Sequence, residues 1–154
     1  MIAPSGKNIA DIVRRKGYDL GTDEPALGRY GNSPESSAAL IRLITHGEKR
    51  ATSSLVWGWE AEREMPPKAG DIEVILDWND EPVAVIRFDE VFVLPFDQVT
   101  AEYAFLEAEN DRSLESWRKS HWEFFQLECE KIGKSPTEAM PILCTRFHLL
   151  AILE

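Results

Sequence analysis

Asp71-Ile72-Glu73-Val74-Ile75-Leu76-Asp77-Trp78-Asn79-Asp80-Glu81-Pro82-Val83-Ala84-Val85-Ile86-Arg87-Phe88 is the stretch that decides the fold. Gly70-Asp71 starts a β-rich run, Ile72 to Leu76, and Asn79-Asp80 supplies the residues a tight turn needs. A longer β-rich run follows from Val83 to about Val93. No helical segment fits between the two runs, so they read as adjacent antiparallel strands rather than as part of a βαβ unit.

Upstream of this pair, Trp57, Trp59, an acidic stretch and Pro66-Pro67 read as an irregular flap. Before them, Gly47-Glu48-Lys49-Arg50-Ala51-Thr52-Ser53-Ser54-Leu55 reads as a turn entering a strand, where side chains are held firmly yet reach solvent. Ser33-Pro34 has the form of a helix start, and Leu40, Ile41 and Ile44 recur at helical spacing until Gly47. Residues 1–29 hold a short helical run, Ile9 to Arg15, among Gly17, Gly21, Pro25 and Gly28, and read as a loosely attached arm before a domain spanning 30–154.

Downstream, Thr100 can cap a short helix through Glu107. Ser113 can cap a longer one, in which Leu114, Trp117, His121, Phe124 and Phe125 fall near one face before Gly133. Pro141 to Leu153 reads as a final strand. Helices and antiparallel strands intermixed without a βαβ rhythm predict an α+β fold with a partly closed antiparallel β-barrel and flanking α-helices.

The 154 residues suit one domain, and 44% hydrophobic with 29% charged residues is a globular balance. The first residues show no basic stretch leading into an apolar run, and no segment is long and apolar enough to span a bilayer, so a cytoplasmic protein without membrane contact is expected. Cys129 and Cys144 match no metal spacing and read as buried, reduced thiols. The net charge of −10 opposes tight binding to duplex nucleic acid, because phosphate affinity rests on Lys and Arg. The acidity is uneven: residues 1–70 carry 10 basic and 9 acidic side chains, residues 71–154 carry 7 and 18. A local basic cleft in the first half is compatible with that distribution.

Common catalytic signatures fail. Ser5-Gly6-Lys7 lacks the upstream glycine of a phosphate loop, no GxSxG occurs, and His46, His121 and His148 have no metal-ligand spacing, so no metal or other cofactor is expected. His121 falls among core-facing aromatics and reads as a hydrogen-bonded core histidine. Lys49-x-x-Thr52 allows a threonine nucleophile with a lysine base if desolvation or the neighbouring Arg50 favours the neutral amine. The same residues also read as a solvated basic turn. Trp57 and Trp59 beside this turn offer stacking faces for a single-stranded base, whereas Trp117 and Trp122 read as helix packing residues.

Several segments together resemble a known family: Tyr30-Gly31-Asn32-Ser33-Pro34, Gly47 to Thr52, Pro67-Lys68-Ala69-Gly70-Asp71, Pro95 to Thr100, Glu107 to Leu114, Trp117-Arg118, His121-Trp122 and Arg146-Phe147. In their order and approximate spacing they resemble bacterial ASCH domain proteins over about residues 30–150. The resemblance implies a PUA-like barrel with a cleft that binds single-stranded RNA or a modified nucleoside. Lys49, Arg50, Ser54, Thr52 and Trp57 would lie near it, with Arg112, Trp117 and Arg118 at the far wall. It also implies three alternatives. Small bacterial members are N4-acetylcytidine amidohydrolases; the positions matching their lysine, threonine and glutamate are Lys49, Thr52 and Glu107, while Ser54 stands where they have arginine. Other members cleave single-stranded RNA with divalent metal. The last alternative is a non-catalytic protein-interaction module.

Overall fold

A computed structural model describes residues 6–21 and 24–154. Helix α1 (Gly6–Arg15), strand β1 (Ala26–Arg29), α2 (Pro34–Thr45), β2 (Ala51–Leu55) and α3 (Val56–Glu62) are followed by β3 (Ile72–Leu76) and β4 (Pro82–Pro95). A 3-10 turn (Phe96–Gln98), α4 (Ala101–Glu107), α5 (Leu114–Lys131) and β5 (Pro141–Ile152) complete the order. The fold is α+β, with five strands hydrogen-bonded in the order β1-β3-β4-β5-β2. The β3 and β4 pair is antiparallel as its sequence demands, with Val74 opposite Val85. β1 was not foreseen: it joins β3 in parallel, which its separation from β3 by two helices and a strand permits.

The chain forms two compact units. One comprises Met1–Glu48, Pro67–Asp89 and Phe147–Glu154, and its core gathers Ile9, Val13 and Leu20 with Ile72, Val74, Leu76, Val85 and Leu153. The described part of the segment read as an arm thus supplies buried side chains and the strand β1. Strand alternation sends Ile72, Val74 and Leu76 into this core and Glu73 to the opposite face. There the Glu73 carboxylate lies over Gly28, where a Cβ would collide with it, and accepts the Tyr30 hydroxyl at 2.7 Å.

The other unit comprises Lys49–Pro66 and Glu90–Arg146. Its core packs Ala51, Leu55, Phe96, Tyr103, Trp117, Phe125, Ile142 and Cys144. β2 runs antiparallel to β5, with Ser53 opposite Cys144. Thr100 and Ser113 cap α4 and α5 as their sequence positions require, each accepting a backbone N–H three residues on. The segment read as an irregular flap begins instead with helix α3, ended by Arg63 in a left-handed conformation, φ 56°. It has no side-chain N-cap and holds Gly58, so its sequence lacks the usual helix signals. Cys129 and Cys144 are buried and free. Among the described residues no helix is long and apolar enough to cross a membrane.

Candidate ligand site around Lys49

All of the side chains described here belong to the second unit. Lys49 precedes β2 and is 2% exposed, unusual for a lysine that has no partner nearby in sequence. Its partners come from the end of α4. The Lys49 Nζ donates to Glu107 Oε1 at 3.1 Å, to the Glu107 carbonyl at 3.2 Å and to Glu109 Oε2 at 3.0 Å. The backbone N–H of Arg50 reaches the Leu106 carbonyl at 2.8 Å, tying the turn to the same helix end.

α4 ends at Glu107, and the loop after it brings Glu109 to Lys49 as well. Ala108, Asn110 and Arg112 all have positive φ, at 63°, 56° and 66°, a strained run for residues that are not glycine. The loop is held by Arg112 N–H donating to the Glu109 carbonyl at 3.0 Å and by Asp111, which accepts from Ser113 and Ser116 hydroxyls at 2.6 Å. Those hydrogen bonds lower the Asp111 carboxyl to about 2.

The second oxygen of Glu107 is equally engaged. Glu107 Oε2 accepts from the Trp117 indole N–H at 2.6 Å and from the Ser53 hydroxyl at 2.7 Å, and His121 Nε2 lies 3.5 Å away. His121 stacks on Trp117 with centroids 4.3 Å apart and planes 13° from parallel. Its Nδ1 lies 2.9 Å from the Trp117 carbonyl, which can only accept, so Nδ1 carries a proton and Nε2 faces the two glutamates. Burial by itself would raise the Glu107 carboxyl, but the Lys49 charge and His121 outweigh it and hold it well below the ordinary carboxylate range. Burial likewise opposes a charged imidazole at His121; the hydrogen bond and charge of Glu107, with the charge of Glu109, outweigh it and raise the histidine.

The cluster therefore joins two glutamates, a lysine and a histidine whose protonated form the glutamates favour. Lys49 has three acceptors for three protons, which is what an ammonium needs and a neutral amine cannot satisfy. Glu107, Glu109 and His121 each place one potential metal-ligand atom within 4.8 Å of the others, a convergence the sequence spacing did not show. Lys49 already lies at hydrogen-bond distance from both carboxylates, and a divalent cation between them would have to displace it. This donor set fits an ammonium, not a metal ion.

Of the residues singled out in sequence, Lys49 and Glu107 meet. Thr52 does not join them: Ser53 turns to Glu107, so strand alternation sends the Thr52 side chain to the other face of β2. The Thr52 carbonyl accepts the hydroxyls of Tyr103 at 2.6 Å and Thr145 at 2.9 Å. Ser54 accepts the Trp59 indole N–H at 2.8 Å. Trp57 is half-buried under Lys134, whose Nζ lies 5.1 Å from its ring centroid. Trp117 is 3% exposed, with its N–H committed to Glu107. Arg50 and Arg118 are exposed, and the Arg112 guanidinium lies 3.8 Å from the ring centroid of Phe105, which is 53% exposed. Sequence reading missed Ser53, Glu109 and Phe105, and favoured a core role over a catalytic one for His121. A separate apolar groove of about 390 Å³ in this unit is lined by Val56, Trp59, Arg63, Met65, Val93 and Leu143, among others.

Residues 27–151 match the family described as the ASCH domain. The chain is similar to the crystal structure of an ASCH domain from Lactobacillus crispatus JV V101, at 26% identity and a TM-score of 0.77, over 94% of this chain and 87% of that one. It is also similar to protein EF3133 from Enterococcus faecalis V583, at 27% identity and a TM-score of 0.79, over 92% and 85% of the two chains. No functionally curated protein matches it.

Proposed function

From the premise that the chain belongs to the ASCH domain family, we propose that its second unit binds single-stranded RNA or a modified nucleoside at the Lys49 cluster. The observation that carries this reading is a buried charge cluster, its lysine fully hydrogen-bonded, that reaches solvent at Glu109, whose side chain is 28% exposed. The loop bearing Glu109 also carries Arg112, stacked on exposed Phe105, and the helix end before it is bonded to Arg50. Aromatic and guanidinium faces beside polar groups are what unstacked bases require. With a net charge of −10, binding to phosphates alone would be weak, so a site built for a base rather than for a backbone suits this protein.

Titration of tryptophan fluorescence with mixed-sequence single-stranded RNA and with nucleosides at low salt tests the proposal. A saturable change is expected, with a shallow salt dependence; silence towards both ligand sets would sink it. The amidohydrolase alternative draws on the Lys49 contact with Glu107, but it needs a neutral lysine and a nearby Thr52. N4-acetylcytidine is therefore expected to remain intact, and turnover abolished by Thr52→Ala would overturn a purely binding role.

A further inference from the structure

What the cluster can accept follows from counting protons. Lys49 spends all three on Glu107 and Glu109. Ser53 and Trp117 spend theirs on Glu107 Oε2, and His121 directs one ring nitrogen to the Trp117 carbonyl and the other towards the two glutamates. None of these four side chains has a donor left over. Acceptor capacity is: Glu109 uses Oε2 for Lys49, while its Oε1 takes no hydrogen bond from the described residues. Glu109 is also the most exposed member, at 28% of its side chain against 1% for Lys49 and Glu107 and 10% for His121. A ligand at this point must therefore bring a donor.

Resting on the binding reading above, we infer that Glu109 reads the ligand and selects a base with an exocyclic amino group (cytosine, adenine or guanine) over uracil, with no phosphate seated at the cluster. An amino group gives the open carboxylate oxygen an N–H to accept, as acidic side chains accept from the cytosine amino group elsewhere. Uracil offers its one N–H between two carbonyl oxygens, and each of these would face the carboxylate. A phosphate brings acceptors and negative charge to a carboxylate oxygen whose neighbouring side-chain donors on Lys49, Ser53 and Trp117 are already committed.

The test is calorimetry of the intact protein with cytidine, adenosine, guanosine and uridine, repeated with inorganic phosphate present and with Glu109→Gln. The three amino nucleosides should bind about tenfold or more tightly than uridine. Glu109→Gln, whose amide both donates and accepts, should erase that preference, and phosphate should leave the affinities unchanged. Uridine binding as tightly as cytidine, a preference that survives in folded Glu109→Gln, or competition by phosphate would overturn the inference. If Glu109→Gln unfolds, the wild-type ranking alone decides. Binding of single-stranded RNA without any base preference removes this inference only; no binding by RNA or any nucleoside removes the binding reading as well.

Discussion

Glu73 in the first unit and Glu107 in the second are glutamates taken out of water in opposite company. Among the described residues Glu73 has one neutral donor, the Tyr30 hydroxyl, and burial pushes its carboxyl up to about 7 despite that bond. Glu107 is more deeply buried, yet Lys49, His121, Trp117 and Ser53 all point at it and its carboxyl is lowered. Depth of burial does not set the charge of a carboxylate; the partners do. One glutamate is held near the point of neutralising, and the other is held ionised as the centre of a polar site.

Removing the charge at each position should therefore have effects of opposite sign. Glu107→Gln leaves Lys49 and His121 buried beside a neutral amide and should cost about 3 kcal/mol or more at pH 7, read from the urea midpoint. Glu73→Gln should stabilise the protein by about 2 kcal/mol at pH 8 and change nothing at pH 4. The sign follows from a folded value of about 7 against the ordinary 4.5: Glu73's contribution is full below 4.5 and is lost as pH rises to about 7. A Glu73→Gln variant less stable than wild type at pH 8 would break the comparison.

His121 sharpens it. A histidine raised above 6.5 in the folded state stabilises fully below that pH, and the stabilisation is lost as pH rises through its folded value. His121→Gln should cost about 1 to 2 kcal/mol at pH 6 and less at pH 9, seen as converging thermal midpoints. The smallest effect belongs to Trp117→Phe, which keeps a ring against His121 and Phe96 but deletes the N–H to Glu107. About 1 kcal/mol is expected, measured by thermal unfolding.

The sequence made some of this legible and concealed the rest for physical reasons. The β3 and β4 pair, the Ser33 cap of α2 and the Ser113 cap of α5 carry local signals, and each forms where it was read. α3 was hidden because its start has no side-chain cap, and β1 because a four-residue strand with a glycine becomes recognisable only once β3 lies beside it. At the site, Lys49 and Glu107 could be paired through family resemblance. Nothing local marks Glu109 as their companion, because that depends on alanine, asparagine and arginine all taking positive φ in one loop. Choosing Ser53 over Thr52 depends on strand register, and a one-residue shift reverses which hydroxyl meets Glu107.

Nitrogen NMR of the His121 ring at pH 7 tests most directly whether the cluster is ionised with its side-chain donors spent. Both ring nitrogens should carry protons, and Glu107→Gln should release the Nε2 proton at lower pH than in the wild type. A neutral ring with a bare Nε2 at pH 7 would place a lone pair against two carboxylates and contradict the account.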